Sequence, residues 1–128
     1  MAIVGTGIDI VEMKRIEEVL DRHGDRFLRR VFTAGEIEYA ESADSMIEHL
    51  AGRFAVKEAV FKALGTGWTG QVRWRDVEVR LRSTGEPVVR LSGGARQRAE
   101  ERGISRMHIS ISHTGNYAAA HAIAEGKC

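Results

Sequence analysis

Leu50 to Gly67, with the sequence LAGRFAVKEAVFKALGTG, is the stretch that decides the fold. At ~3.6 residues per turn, a helix over this stretch carries its large apolar side chains in one stripe, with a row of alanines beside and behind that stripe. A helix that is apolar on nearly every side is normally buried, so we predict that it forms the core. The stripe contains Leu50, Phe54, Val60, Phe61 and Leu64, the alanines are Ala51, Ala55, Ala59 and Ala63, and a turn marked by Gly65, Gly67 and Gly70 follows.

Four charged residues lie within this apolar helix, namely Arg53, Lys57, Glu58 and Lys62. Each needs a partner or a ligand, because an uncompensated buried charge is strongly destabilising. Glu58 and Lys62 are four residues apart, so they project from one face with only alanine nearby to crowd what approaches. The helix alone leaves two interpretations open: a structural salt bridge within the helix, or a functional pair.

Length and composition favour one soluble domain, which we place over residues 1–128. Apolar residues make up 43% and charged residues 29%, as in ordinary globular proteins. No apolar run approaches the ~20 residues of a membrane span, and the amino terminus lacks a secretory pattern, so we expect a cytoplasmic protein. The one cysteine, Cys128, cannot form an internal disulfide, and a net charge of +1 gives no general attraction to nucleic acid.

The amino-terminal run from Ala2 to Ile10 is apolar and predicts a strand. Gly5 and Gly7 within it would let another backbone or a ligand come close. We expect Asp9 where this strand ends, and two interpretations stay open for it. Its carboxylate either caps the helix that follows or is held ready for a metal ion.

Two helices are predicted between this strand and the central helix. Residues Glu12 to Arg22 have apolar side chains at helical spacing, and Gly24 is a plausible stop. The segment TAGE, Thr33 to Glu36, has the spacing of a capping box and should start a short helix that runs to about Ser42.

Cations are dense between Lys14 and Arg30 and are interleaved with apolar residues. This segment is either a solvated, salt-bridged surface or a docking site for an acidic partner, protein or nucleic acid. Acidic residues in the same segment dilute its charge, which favours a protein partner. The cations are Lys14, Arg15, Arg22, Arg26, Arg29 and Arg30.

The pattern changes to a period of two after the central helix. Alternate residues from Val77 to Leu81 are apolar, which predicts a strand over 75–82 with one buried face, and a turn returns the chain as Val88 to Leu91. A polar, arginine-rich helix follows, which Ser92 can cap and Gly103 can end.

A second hairpin is predicted near the carboxyl end, from Met107 to Ile111 and from Tyr117 to Ala124. Alternate residues of its returning strand are alanines, and this face of small side chains suits close packing on the alanine row of the central helix. His113 lies at the hairpin tip beside Thr114. It is either an ordinary polar turn residue or part of a site where imidazole and backbone amides meet an anion.

Three motifs are more specific together than any one of them: Gly7-Ile8-Asp9, then Arg53-Phe54-Ala55-Val56-Lys57-Glu58-Ala59 with Lys62 and Gly65-Thr66-Gly67, then Ile111-Ser112-His113-Thr114. In this order and spacing the sequence resembles the holo-acyl-carrier-protein synthases, which are small bacterial 4'-phosphopantetheinyl transferases. The resemblance covers essentially the whole chain. It implies an α+β fold in which a long central helix packs on a small antiparallel sheet, and a homotrimer with active sites between subunits.

The reaction implied by this resemblance moves 4'-phosphopantetheine from coenzyme A to a serine of acyl carrier protein, releases adenosine 3',5'-bisphosphate and supports fatty acid biosynthesis. Asp9 and Glu58 match the metal-binding positions, where Mg²⁺ would neutralise phosphate charge. Either Glu58 or a water held by the metal would take the serine proton. Lys62 would contact the phosphates and stabilise the leaving group, so Asp9, Glu58 and Lys62 are the implied catalytic residues.

The resemblance also implies two binding surfaces. Arg53, Lys62, His113 and Thr114 match positions that bind coenzyme A, with Arg53 and the His113-Thr114 pair on its 3'-phosphate and His113 supplied by the adjacent subunit. Lys57 belongs to the central motif without an assigned role. The surface that would receive the acidic recognition helix of the carrier consists of Arg15, Arg22, Arg26 and Arg30.

The sequence leaves two other classes of function open. The first is a non-catalytic module that binds coenzyme A or a nucleotide. The two carboxylates Asp9 and Glu58 argue against such a module, because they would repel an anionic ligand unless a cation lay between them and the ligand. The second is a nucleic-acid-binding protein, which the near-neutral net charge argues against. We therefore expect neither nucleic acid nor a membrane among the partners.

Overall fold

Five helices and five strands make up residues 1–66 and 71–127, which are the residues that the structure, a computed structural model, describes. The predicted turn residues Gly67 and Gly70, and Cys128, lie outside these ranges. In chain order the elements are β1 (Ala2–Glu12), α1 (Met13–His23), α2 (Asp25–Val31), α3 (Ala34–Ser42), α4 (Met46–Leu64), a 3-10 turn (Trp74–Asp76), β2 (Val77–Leu81), β3 (Pro87–Leu91), α5 (Gly93–Glu101), β4 (Ile104–His113) and β5 (Tyr117–Gly126).

The central helix α4 packs on a three-stranded antiparallel sheet in the order β1-β5-β4, which confirms the predicted fold class. Strands β2 and β3 form a separate antiparallel hairpin. The small-residue face predicted for β5 is buried, and so is most of α4. No helix among the described residues is long and apolar enough to cross a membrane. The buried alanines of β5 are Ala118, Ala120, Ala122 and Ala124.

Two glycines of β1 set how closely α4 approaches the sheet. A Cβ atom on Gly7 would lie 1.9 Å from the Ala59 carbonyl oxygen, and one on Gly5 would lie 2.1 Å from that of Ala63. Since real Cβ atoms are never found so near an oxygen, only glycine permits this contact between helix and strand backbones. The sequence left open whether Gly5 and Gly7 let a ligand or another backbone come close. The structure shows that they admit the backbone of α4.

The predicted helix boundaries are largely confirmed. Helix α1 ends at Gly24, whose backbone N–H donates to the Leu20 carbonyl. The capping box that begins α3 is formed in both directions. The Thr33 N–H donates to Glu36 Oε1 at 2.9 Å, and the Glu36 N–H donates to Thr33 Oγ1 at 3.2 Å.

Asp9 is not at the end of its strand, contrary to the prediction. Strand β1 continues to Glu12, Asp9 lies opposite Ala120 in the ladder, and Glu12 occupies the N-cap position of α1. The strand passes directly into the helix without a glycine or proline to mark the boundary. Asp9 is therefore no helix cap, and its side chain emerges from the middle of a strand.

Two smaller predictions in the second half of the chain were also wrong. Strand β2 is shorter than predicted, because residues Trp74–Asp76 form the 3-10 turn, and Leu81 at its end is 40% exposed. Ser92 occupies the N-cap position of α5, but its side chain makes no capping hydrogen bond.

Candidate active site

Asp9 of β1 and Lys62 of α4 meet across the contact that Gly7 makes possible. Lys62 Nζ lies 3.3 Å from Asp9 Oδ1 and donates to the Ile8 carbonyl at 2.8 Å. The Lys62 side chain remains about half exposed. The salt bridge considered within α4, between Glu58 and Lys62, is absent from the ion pairs of the described residues, so that structural interpretation of the two charges is wrong.

Glu58 lies close enough to Asp9 for the two carboxylates to interact. Burial raises the pKa of Glu58, and the negative charge of Asp9 raises it further, while Lys62 and Arg15 oppose the shift. Two neighbouring carboxylates that repel each other form a site that a cation would stabilise.

The donor set suits a hard cation that is only partly ligated by protein. Residues 1–66 and 71–127 contain no cluster of three or more side chains that could hold a metal ion. A cation at Asp9 and Glu58 would therefore take further ligands from phosphate oxygens and water. This is the ligand set that Mg²⁺ commonly accepts when it acts on phosphorylated substrates.

A cleft of about 540 Å³ opens beside the two carboxylates, between β1, α1, α2 and α4. Asp9, Glu58 and Arg15 give it a charged side, and the rest of its lining is mostly apolar. Arg22, Arg26 and Arg30, which the sequence grouped with Arg15, are exposed on α1 and α2 but do not line the cleft. The apolar lining includes Ile16, Val19, Phe27, Val31, Phe54 and Trp74.

Arg53 is buried near the middle of α4 without a full set of partners. It is 5% exposed, and its guanidinium carbon lies 4.5 Å from the centre of the Tyr39 ring. Its Nε is buried and finds no hydrogen-bond acceptor among the described residues. Burial lowers the pKa of Arg53, and Glu36 and Tyr39 oppose that shift. Within the part of the chain that the structure describes, Arg53 therefore keeps an unsatisfied donor at a buried position, which is unusual in a folded protein.

His113, at the end of β4, forms an ion pair with Glu48 of α4 when its imidazole is protonated. Burial lowers the pKa of His49, and the charges of Arg53 and His113 both add to this shift, so these three side chains gather around one part of α4. Thr114 instead accepts backbone N–H groups of its own turn. Neither His113 nor Thr114 of this chain lines the cleft that contains Glu58.

Lys57, whose role the sequence left open, is fully buried and paired with Glu36. The distance from its Nζ to Glu36 Oε1 is 2.8 Å, and neither side chain is exposed to solvent. Burial lowers the pKa of Lys57, and the charge of Glu36 opposes this shift. The sequence predicted Glu36 only as part of a capping box, and no sequence pattern indicated that Glu36 also pairs with Lys57.

Comparison with known proteins decides the family. The 4'-phosphopantetheinyl transferase superfamily matches residues 5–122. A holo-[acyl-carrier-protein] synthase from Koribacter versatilis is 49% identical over 123 residues, which are 96% of this chain and 98% of that protein. The chain belongs to the holo-acyl-carrier-protein synthase family.

Solved structures of this family have the same fold. The holo-[acyl-carrier-protein] synthase of Neisseria meningitidis has a TM-score of 0.90 at 35% identity, covering 97% of this chain and 99% of that one. The corresponding Helicobacter pylori protein, in complex with coenzyme A, has a TM-score of 0.83 at 30% identity, covering 94% of this chain and 99% of that one.

Within a single chain, the residues expected from the family fall into two groups. Asp9, Glu58 and Lys62 lie together, with Arg15 on the same cleft. Arg53 and His113 gather around His49 instead. Trp74, which stacks on Phe54 beside Glu58, was not singled out from the sequence, because it lies outside the three motifs and its contact depends on tertiary packing.

Proposed function

We propose that this protein transfers 4'-phosphopantetheine from coenzyme A to a serine of acyl carrier protein and releases adenosine 3',5'-bisphosphate. The observation that carries the proposal is the meeting of Asp9, Glu58 and Lys62, of which Asp9 and Glu58 line a cleft, in a chain whose relatives are holo-[acyl-carrier-protein] synthases. The coenzyme A complex of the Helicobacter pylori protein supports coenzyme A as the donor.

Asp9 and Glu58 would hold Mg²⁺, which supplies neutralising charge to the pyrophosphate when bound. Lys62 adds a second positive charge next to them, and its exposed ammonium can stabilise the phosphate that leaves. Glu58 is a candidate for the base that accepts the serine proton, since its carboxylate lines the cleft where the carrier would dock. A water held at the site is the alternative base.

Arg53, with Lys62, His113 and Thr114, would bind the phosphates of coenzyme A. Arg53 would have to turn its guanidinium toward the phosphate, and its Nε makes no hydrogen bond in the described chain that would oppose this movement. His113 does not line the cleft of its own chain that contains Glu58, which favours its supply by a neighbouring subunit.

The exposed face of the sheet supports a homotrimer. Ile8 and Ile10 project from the opposite side of β1 to Asp9 and are 70% and 67% exposed. Adjacent exposed isoleucines on a sheet commonly mark an association surface. Contacts between copies through this face would account for the subunit association that the family resemblance implies. The proposed reaction would support fatty acid biosynthesis. A cytoplasmic location and a single domain over 1–128 stay predictions.

The carrier would dock on α1 and α2. Arg15, Arg22, Arg26 and Arg30 are exposed there, and the apolar cleft beside Arg15 offers a surface for the hydrophobic side of a helix. An acidic, amphipathic helix complements both features. A nucleic acid would leave the apolar lining of the cleft uncovered.

The deciding experiment is the intact mass of an apo acyl carrier protein after incubation with this protein, coenzyme A and Mg²⁺. We expect the gain of one phosphopantetheine, and we expect a chelator to prevent it. No gain, with a carrier that another transferase modifies, would contradict the proposal for that carrier. Titration of coenzyme A would then show whether the protein only binds it.

A further inference from the structure

The ammonium of Lys57 joins three parts of the fold inside the core. Besides its ion pair with Glu36 of α3, Lys57 Nζ donates to the Trp74 carbonyl at 3.3 Å and to the Val77 carbonyl. These three acceptors use all the hydrogen atoms of the ammonium. The other Glu36 oxygen, Oε2, accepts the Val79 N–H at 2.8 Å, so the pair also binds strand β2.

Trp74 is fixed twice, through its backbone and through its ring. Its carbonyl is held by Lys57, while its ring stacks on Phe54 at a centroid distance of 4.9 Å and an interplanar angle of 24°. It also contacts Phe61 at 5.3 Å. Phe54, Glu58 and Trp74 line the same cleft, so the Trp74 ring is part of the wall beside the catalytic carboxylate.

From this geometry we infer that Lys57 is a positioning residue, which holds Trp74 in place as the aromatic wall of the carrier-binding cleft. The inference rests on the proposed function. Lys57 and Glu58 are consecutive on α4 and project about 100° apart, so one helix turn carries both the catalytic carboxylate and the residue that holds the cleft wall beside it. Lys57 itself is fully buried and does not reach the substrate.

A role in positioning predicts a specific kinetic change. The wall belongs to the cleft where the carrier docks, whereas coenzyme A binds through Arg53, Lys62 and His113. Loss of the tether should therefore raise the KM for the carrier about ten-fold and leave the KM for coenzyme A within about two-fold. A purely structural role would lower the amount of active protein and thus kcat, with no selective effect on one substrate.

Two variants of the buried pair separate these roles. Lys57→Met removes the donors to both carbonyls. Glu36→Gln is the control. It removes the ion pair and one of the two backbone hydrogen bonds to the carboxylate, from Thr33 or Val79, but leaves Lys57 able to donate to Trp74 and Val77. If Lys57→Met does not fold, the double variant Glu36→Gln/Lys57→Met removes both charges from the core and still lacks the tether.

The fluorescence of Trp74 gives a second measurement, which reports directly on this wall of the cleft. The chain has two tryptophans, so a Trp68→Phe background leaves Trp74 as the sole tryptophan, which can be excited selectively over the tyrosines. We expect acrylamide to quench Trp74 more strongly in Lys57→Met, or in the double variant, than in Glu36→Gln.

Steady-state kinetics with apo acyl carrier protein and coenzyme A, together with quenching, give the test. A selective rise of carrier KM in the variants that lack Lys57, with stronger quenching, supports the inference. Equal effects in Glu36→Gln, an unchanged carrier KM, or unchanged quenching would each overturn it. If the unaltered protein transfers nothing, the proposed function fails, and quenching alone decides whether Lys57 holds Trp74.

Discussion

Lys62 Nζ lies 3.3 Å from Asp9 Oδ1, so this lysine pairs with a strand rather than with Glu58, one turn earlier on its own helix. The pairing leaves the Glu58 carboxylate without a salt bridge of its own in the described chain, next to a second negative charge that raises its pKa. A partly buried carboxylate beside a second negative charge is stabilised by a cation or a proton. This relationship, more than any single motif, makes the site suitable for metal-assisted phosphoryl chemistry.

The first prediction concerns Glu58. Replacing Glu58 by Gln removes a charged metal ligand and a candidate base with almost no change in shape. We expect transfer to fall by at least about a thousand-fold while the oligomeric state, proposed to be a homotrimer, does not change. Intact-mass assays of the carrier measure the first quantity, and analytical ultracentrifugation measures the second.

The matched control for this variant is Glu38→Gln, which removes the same charge from an exposed position on α3. We expect its activity to match that of the unaltered protein. Full activity in Glu58→Gln would contradict the assignment of Glu58 to the metal site.

The second prediction concerns the approach of α4 to β1. Gly7→Ala places a Cβ atom against the Ala59 carbonyl, so the helix must move away from the strand. We expect the free energy of unfolding to fall by about 3 kcal/mol or more, as for other severe overpacking in a core. Gly115→Ala is the control, because a Cβ atom there has open space and the change should be small. Denaturant titration measures both, and equal midpoints would contradict the close contact.

The features that the sequence predicted well are periodic or local. The buried alanines of β5 follow from alternation, and the Thr33–Glu36 capping box follows from a spacing of three residues. Asp9 was misplaced for a local reason too: β1 enters α1 without a turn, so no residue marks the end of the strand.

The pairings that build the site could not be predicted because each joins residues far apart in sequence. Lys57 with Glu36, Lys62 with Asp9 and His113 with Glu48 are all contacts between elements. Pattern and propensity act within one element and do not specify such partners. The family resemblance indicated which residues matter, but only the fold shows what holds them.

The third prediction is a dependence of stability on pH that arises from Glu78. Burial alone would raise its pKa, but hydrogen bonds from Thr33 and Arg80 outweigh burial and lower the pKa below its ordinary value of 4.5. Because the pKa is lower in the folded chain, the stabilisation is complete above about pH 4.5 and is lost as the pH falls through the folded value.

Glu78→Gln should therefore lower the denaturation midpoint at pH 7, and its difference from the unaltered protein should shrink in more acidic solution. Glu86→Gln serves as the control. Its carboxylate pairs with Arg82 at 3.7 Å on an exposed surface, where ion pairs contribute little. A Glu78 difference that stays constant from pH 7 to pH 3 would contradict the linkage.

The last prediction tests whether His113 acts on the site of a neighbouring subunit. If the protein forms the proposed homotrimer, Glu58→Gln and His113→Ala proteins should each transfer poorly when pure. When the two proteins are mixed and allowed to exchange subunits, some sites combine the intact Glu58 of one chain with the intact His113 of its neighbour. We expect the mixture to regain a substantial part of the lost activity, measured by the mass of the carrier. Mixing two preparations of Glu58→Gln is the control and should regain none. If the masses show that subunits have exchanged but activity does not return, the prediction is wrong. His113 would then act within its own chain, where it contacts Glu48.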